Sequence, residues 1–523
     1  MKRGSRSALA AACVLLAVFA WGAPTASAEI VRTSNGHFFG ITLHRGVAAA
    51  SVPGSIAAQH RANFSLNGNL NYHGGPVAHS SAAYLVFWTP SGFSIPASSK
   101  TLLQRYFSDA AAASGTSSSV FAVNRQFTDG SGFAAYQQAF SSTQVITDTQ
   151  AYPAFDPNRC APLRFGEAQC ISDAQVQTEL QRLVSTGLPD DGPATSSTLP
   201  PNAPIYFVVL PSNVNVCDQQ TSCADNVFCS YHSAFTNSNH RNVLYVPVPF
   251  LAAAQFPKQC QSDGNFAVQT PNGDLADVVL KYLSHEHNEV LTDPLGSAWF
   301  DSSSGNENGD NCNATGSANP QGGRSPNAFL PVLGGSASSG TLYDQLLAGN
   351  PYYVQSEWSN GDAGCQMAPT AGTIVPQFAA PTSGTDGVPV SFDPSASSST
   401  NPLSSATWDF GDGATPTFRS SSSTLSSVSH TYTAPGTYTV KLTLVDDRGN
   451  LATTTHQIAV ADEPPTAAFT IGVPQPTVGQ SIPLDASASN DPDGSIASYA
   501  WTFGDGHTAT GTTASQSHAY SQA

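Results

Sequence analysis

The run Ser284-His285-Glu286-His287-Asn288-Glu289 concentrates two imidazoles and two carboxylates in six residues. A helix begun at Leu275, turning about 100° per residue, carries an apolar stripe through Val278, Val279, Tyr282, Leu283 and Val290. His285, Glu286 and Glu289 fall inside that stripe, whereas Lys281, Ser284, His287 and Asn288 fall outside it. The pattern therefore predicts a buried His285, Glu286 and Glu289 and a surface-facing His287. Buried imidazole and carboxylate groups are costly unless something pairs with them, and a metal ion is the simplest partner. Positions i and i+4 share a helix face, so His285 and Glu289 can hold one ion together. Glu286 is then displaced to the side from which water would attack. This is the zinc-protease helix H-E-x-x-H with Glu in place of the second His. Catalytic zinc takes three protein ligands and keeps one position open, and a neighbouring carboxylate accepts the proton of the attacking water. Glu286 is the candidate for that role. The third ligand is sought downstream among Asp310, Glu307, Asp301 and Asp293, or upstream at His232. Asp293 is read more simply as a helix-end cap, and His73 and His79 as structural or exposed groups. The bland reading is a helix with a hydrogen-bonded polar node and no metal.

An α/β pattern positions this helix. Ala82 to Trp88, Val145 to Tyr152, Ile205 to Leu210 and Val243 to Phe250 read as strands. Lys100 to Ala113 reads as an amphipathic helix with Leu102, Leu103 and Phe107 inward, and Asp173 to Thr186 as a helix entered through Ser172. The metal helix runs from Asp274 to Asp293-Pro294. Ser302 to Gly323 is a Gly/Asn/Ser-rich loop. A loop of that length in a compact domain is commonly functional or disordered, and Glu307 and Asp310 in this one bring the functional option into view.

Residues 1–28 have the form of a secretory signal. Lys2, Arg3 and Arg6 precede an apolar stretch from Ala8 to Trp21, and Ala26-Ser27-Ala28 offers a cleavage site. The expected localisation is secreted or extracellular, with no transmembrane segment. Without the signal, 16 Lys+Arg face 36 Asp+Glu, a net charge of about −20. That charge excludes phosphate-driven nucleic-acid binding. The eight remaining cysteines, Cys160, Cys170, Cys217, Cys223, Cys229, Cys260, Cys312 and Cys365, are even in number and predict disulfides within one domain. A zinc knuckle at Cys223 and Cys229 is the lesser reading.

Beyond about residue 372 the chain repeats itself. VSFDPSAS (Val390–Ser397) recurs as IPLDASAS (Ile482–Ser489), WDFGDG (Trp408–Gly413) as WTFGDG (Trp501–Gly506), and SHTY (Ser429–Tyr432) as SHAY (Ser517–Tyr520). These strings resemble polycystic-kidney-disease (PKD) domains, which implies immunoglobulin-like β-sandwiches. The second copy stops at Ala523, before a counterpart of Tyr438–Val445. Asp491 and Asp493 offer hard oxygen ligands for calcium, against the simpler reading of a solvated turn.

Upstream, the block Ser284–Cys312 resembles the H-E-x-x-E-x-x-T-[DN]-P, Ala-Trp, Glu-x-x-Asp-x-Cys pattern of exordium-like, phosphate-induced secreted proteins. Tyr72-His73-Gly74-Gly75-Pro76, Ile205–Leu210, Cys229-x-x-His232 and Gln355–Cys365 have counterparts in the same order, so the resemblance spans about 70–370. It implicates His285, Glu286, Glu289, Glu307 and Asp310, with Cys312 beside them. Ser230-Tyr231 stands where the family commonly has Cys-Gly, and His287 replaces an apolar residue. The resemblance brings no settled activity.

The expected organisation is a signal peptide (1–28), a flexible lead-in (29–70), an exordium-like domain (71–370), a first PKD domain (375–462) and an incomplete second one (463–523). The expected fold class is multidomain. It combines a disulfide-stabilised α/β or α+β N-terminal domain, zincin-like in one form, with immunoglobulin-like PKD repeats. Two functions compete: a zinc-dependent hydrolase, foremost a peptidase, and a non-catalytic extracellular adhesion protein with a structural metal or polar node. In both, the PKD repeats meet an extracellular polymer or cell-surface component, protein or glycan. Limited proteolysis should cut residues 463–523 before 375–462, and near-complete protection of the second copy would overturn the view that it is loosely folded.

Overall fold

The computed structural model describes residues 28–33, 37–44, 69–134, 137–160, 166–193, 198–219, 222–250, 260, 268–312, 332–420, 424–492 and 494–522. The proposed signal, apart from Ala28, lies outside the described residues.

The N-terminal domain is built on one mixed sheet. Its strands are β1 (Ala28–Arg32), β2 (Phe38–Leu43), β3 (Ser81–Trp88), β4 (Gln138–Ala139), β5 (Val145–Asp148), β6 (Ala203–Leu210), β7 (Phe228–Thr236) and β8 (Asn242–Pro249). The order is β1-β2-β7-β8-β6-β3-β4, with β5 also on β3. β8, β6, β3, β4 and β5 run parallel, and β1, β2 and β7 extend the sheet by antiparallel pairing. The central strands are apolar and buried on both faces, as parallel strands under helices must be.

Helix α1 (Ala97–Ala112) follows β3, α2 (Asp173–Ser185) starts at a capping box made by Ser172 and Gln175, and α3 is Ala276–Thr292. Alternation along β7 divides the helices between the faces. Tyr231 turns to one side, where its hydroxyl donates to Asp173 at the start of α2 (2.9 Å), and His232 turns to the other, toward Glu286 of α3. Among the described residues no helix is long and apolar enough to cross a membrane.

Two expectations need correction. Residues 29–43 were expected in a flexible lead-in, yet β1 and β2 pair with each other and β2 pairs with β7, with β2 buried throughout. The run FFGITL supplies the apolar, β-branched residues that such a strand needs. His287 was expected at the surface and is fully buried, as is every residue of α3. The helix is enclosed on all sides, so a single-stripe reading cannot orient its residues. The His287 ring lies 4.9 Å from Phe121, 5.1 Å from Phe207 and 5.7 Å from Phe107, centre to centre.

All eight cysteines are paired: Cys160–Cys170, Cys217–Cys223, Cys229–Cys260 and Cys312–Cys365. These bonds belong to an oxidising compartment, and Cys223 and Cys229 do not form a zinc knuckle.

The C-terminal repeat forms β-sheet units. In the first copy β9 (Ser383–Thr385), β10 (Leu403–Asp409), β11 (Thr417–Ser420), β12 (Gly436–Asp446) and β13 (Leu451–Ala461) make a sheet ordered β9-β13-β12-β10-β11. The repeated strings are one device used twice. His430 reaches Asp412 (2.7 Å) and stacks on Phe410, while the Tyr432 hydroxyl donates to the Phe410 carbonyl. His518, Asp505, Phe503 and Tyr520 repeat each contact. The copies differ in cover. Trp408 is fully buried between β11 and β12, whereas Trp501 is half-buried and its strand Tyr499–Thr502 pairs, among the described residues, only with Thr508–Gly511. Phe469 is 59% exposed where Phe378 of the first copy is 4% exposed.

Burial lowers the His287 pKa from 6.5 to about 3. The unfolded chain therefore binds a proton below about pH 6.5 that the folded chain refuses until about pH 3. Stability should fall as pH drops through that window, by about 2 kcal/mol at pH 5 relative to neutral pH. His287→Leu should remove this part of the pH dependence and stabilise the protein at pH 7. Urea unfolding at pH 7 and pH 5 measures both, and identical pH slopes for the two proteins would refute the assignment.

Candidate metal centre

Four segments bring the site together. α3 supplies His285, Glu286 and Glu289, β7 supplies His232, the loop after α3 supplies Glu307 and Asp310, and the strand Glu357–Ser359 adds Glu357. Each of these side chains is at most 2% exposed. The loop is fixed by the Cys312–Cys365 disulfide and by the Trp358 backbone N–H, which donates to the Asn308 carbonyl (2.9 Å). His232 sits three residues after Cys229, whose disulfide to Cys260 anchors that strand.

The distances divide the cluster into two groups. His285 Nε2 lies 3.0 Å from Glu289 Oε1 and 3.2 Å from Asp310 Oδ1. His232 Nδ1 lies 3.1 Å from Glu286 Oε2 and 3.6 Å from Glu289 Oε2, and its Nε2 faces Glu307 Oε1 at 3.6 Å. In each of the triads His285–Glu289–Asp310 and His232–Glu286–Glu289 the ligand atoms lie within 4.8 Å of one another. Zinc bonds of about 2.0–2.1 Å in a tetrahedron separate neighbouring ligand atoms by about 3.3 Å, so the spacing suits one ion per triad.

The remaining hydrogen bonds show what is held and what is left over. Glu286 Oε1 accepts from the Thr42 backbone N–H (3.1 Å) and from the Thr42 hydroxyl. The Asp310 N–H donates to Glu289 Oε1 (3.0 Å), and the Glu307 N–H to Asp310 Oδ2 (2.8 Å). Gln355 Nε2 lies 2.7 Å from both His285 Nδ1 and the Gly309 carbonyl. In that orientation Nδ1 accepts and Nε2 keeps the ring proton. Beyond the imidazole–carboxylate contacts above, no hydrogen-bond partner meets His232 Nε2, His285 Nε2, Glu289 Oε2, Asp310 Oδ1, or either carboxylate oxygen of Glu307 and Glu357. Such orphans are rare in folded proteins and call for an explanation.

Charge sharpens the point. Among the described residues no Lys or Arg pairs with these five carboxylates. Burial pushes Glu289, Glu307 and Glu357 well above the usual carboxylate range, and their neighbours' negative charges push them further. For His285, burial favours the neutral ring, but the hydrogen bond to Asp310 and the charges of Glu286, Asp310 and Glu357 prevail and raise its pKa. Two glycines leave room for the cluster. A Cβ on Gly40 would lie 2.5 Å from Glu307 Oε2 and 2.1 Å from His232 Cε1, and one on Gly309 2.8 Å from His285 Nδ1. Orphaned donors, ligand spacing and glycine clearance all fit a divalent cation.

Not every expected residue converges. Asp293 takes the helix-end role: its Oδ1 accepts from the Ser297 and Ala298 N–H groups. Burial raises its pKa to about 6 against those bonds. Asp301 Oδ1 accepts from the N–H groups of Ser303 and Ser304 and from the Ser303 hydroxyl, which closes a turn. His79 pairs with Asp129, and His73 stacks on Phe300. Of the calcium candidates, Asp491 accepts from the Gly494 N–H (3.1 Å), and Asp493 lies outside the described residues.

Other contributors carried no sequence signal of their own. Thr42, which holds Glu286, stood in no motif. Gln355 and Glu357 lay within the quoted Gln355–Cys365 string without an assigned role. An asparagine chain braces the helix: Asn124 Nδ2 donates to Asn288 Oδ1 (2.8 Å), Asn308 Nδ2 to Asn124 Oδ1 (2.9 Å), and the Thr292 hydroxyl to Asn308 Oδ1 (3.1 Å).

The C-terminal repeats, with their matching His–Asp–Phe–Tyr devices, agree with the comparison to known families. Residues 373–460 and 462–523 match the PKD domain family. The C-terminal region of this chain belongs to that family. The PKD1 domain of Vibrio anguillarum Epp is 33% identical across 17% of this chain and 95% of its own, with a TM-score of 0.14. The PKD1 domain of the Vibrio cholerae metalloprotease PrtV is 28% identical across 17% of this chain and 96% of its own, also with a TM-score of 0.14. At those TM-scores the superposition carries no weight, and the PKD assignment rests on the sequence match.

Asn124→Ala should destabilise the N-terminal domain by about 3 kcal/mol, because it strands one buried acceptor and one buried donor. Urea unfolding measures it, and a loss under about 1 kcal/mol would show that the asparagine chain does not brace α3.

Proposed function

We propose that this chain is an exported zinc-dependent hydrolase of peptide bonds, attached by its PKD domains to an extracellular polymer or cell-surface component. The reading is carried by one observation: His285 Nε2 converges with Glu289 Oε1 at 3.0 Å and with Asp310 Oδ1 at 3.2 Å in a buried site. His285, Glu289 and Asp310 would hold the ion. Zinc so held would supply a Lewis acid and water acidified toward neutrality.

The chain's own residues do the rest. Thr42 fixes Glu286 through Oε1 and leaves Oε2 to accept a proton. His232 Nδ1, 3.1 Å away, can share that proton. Gln355 Nε2, held also by the Gly309 carbonyl, orients the His285 ring through Nδ1. The exordium-like motifs agree in placing His285, Glu286, Glu289, Glu307 and Asp310 together. Paired cysteines and PKD domains agree with an extracellular setting.

One observation favours a second reading. The cluster is enclosed, with every member at most 2% exposed, so a peptide reaches it only after part of the enclosure opens. A closed metal site is the structural kind, and the chain would then be a non-catalytic interaction protein. A broad peptide and glycan screen of the wild type separates the readings: the first expects turnover and the second none, while His285→Ala lowers Tm in both.

Protein purified without added metal should carry zinc near stoichiometrically. Glu286→Gln should retain the ion at His285 and lower peptide cleavage by about 100-fold or more. Metal-free protein of undiminished stability would overturn the metal reading altogether.

A further inference from the structure

We propose that the centre holds two divalent ions rather than one, bridged by the Glu289 carboxylate. The inference rests on the metal reading above and changes the part that Glu286 plays. Glu289 divides its oxygens between two imidazoles: Oε1 faces His285 Nε2 at 3.0 Å, and Oε2 faces His232 Nδ1 at 3.6 Å. A carboxylate placed this way spans ions about 3.5–4 Å apart, the spacing of two-metal hydrolytic sites. The first ion takes His285, Glu289 Oε1 and Asp310. The second takes His232, Glu289 Oε2 and Glu286 Oε2, with Glu307 on the far side of the His232 ring.

Charge supports two ions over one. Five buried carboxylates crowd two imidazoles, and one divalent cation leaves most of that negative charge uncompensated in a low-dielectric interior. The orphaned atoms are also spread over both halves. His285 Nε2 and Asp310 Oδ1 belong to the first, Glu289 Oε2 to the second, and His232 Nε2 and both Glu307 oxygens lie beside it. Both glycine clearances recur in parallel: Gly309 sits against His285 and Glu289, and Gly40 against His232 and Glu307. Each half thus has an imidazole, carboxylates and a backbone position kept free of a side chain. Imidazole with carboxylate oxygens suits zinc, manganese or iron.

Apart from two clusters whose cysteines are held in disulfides, the described residues offer one rival location, the Asp505–His507–His518 cluster in the second PKD domain. His507→Ala therefore serves as the control. Full-length protein stripped with chelator is titrated with cobalt(II), and bound metal is counted per chain after dialysis. The expected result is two ions in the wild type and in His507→Ala, and one in His232→Ala, His285→Ala and Glu286→Gln. The two cobalt ions should also be spin-coupled by electron paramagnetic resonance. If a histidine variant does not fold, the wild-type count and coupling decide alone. One ion in the wild type overturns the two-ion proposal and leaves the single-zinc reading standing. Two uncoupled ions, or loss of one in His507→Ala, also overturn it. No bound ion defeats both readings.

Discussion

The centre of the N-terminal domain is a debt of negative charge. Five carboxylates lie in the interior against two imidazoles, and among the described residues no Lys or Arg pairs with them. Buried charge of that density is tolerated only where something compensates it. Much of the surrounding architecture serves to hold these groups in place. Thr42 fixes Glu286, Asp310 fixes Glu289 through its backbone, Gln355 fixes His285, and a disulfide ties the loop to the strand paired with the one that carries Glu357. A hydrophobic isostere at any of these positions would pack more cheaply.

The sheet gives the cluster its rigidity. Alternation along β7 sends Tyr231 to α2 and His232 to α3, so one strand braces two helices on opposite faces. The antiparallel extension by β1 and β2 closes the side of α3 that parallel strands alone would leave open, and Thr42 comes from that extension. On the opposite flank the Asn124–Asn288–Asn308 chain joins α3 to the loop bearing Glu307 and Asp310. The PKD domains contribute in another way. Their His–Asp–Phe–Tyr device appears twice with nearly equal spacing, 2.7 and 2.8 Å between imidazole and carboxylate. It ties the turn of one motif to the strand of the other.

Much of this was legible in the chain itself. The 3.6-residue period placed α3 and put His285, Glu286 and Glu289 indoors, apolar runs located β3, β6 and β8, and the repeat strings located the PKD modules. Each misreading has its own cause. Amphipathic periodicity assumes that a helix has a solvent side, and α3 has none, so His287 was assigned to water and lies among three phenylalanines instead. The lead-in was judged by its composition as a whole, which obscured the short apolar strand at Phe38–Leu43.

The sequence by itself determined which residues can bind a cation and that His285 and Glu289 share one helical face, because those facts follow from residue type and local geometry. It also determined the cysteine count, the acidity and the PKD repeats. Only the tertiary structure decided that His232 meets Glu286 and Glu289, that Asp293 and Asp301 close turns instead, and that Glu357 joins the cluster. Those groups come from segments far apart in the chain. Their meeting is fixed by strand order and by which face each strand presents, and no local pattern records either.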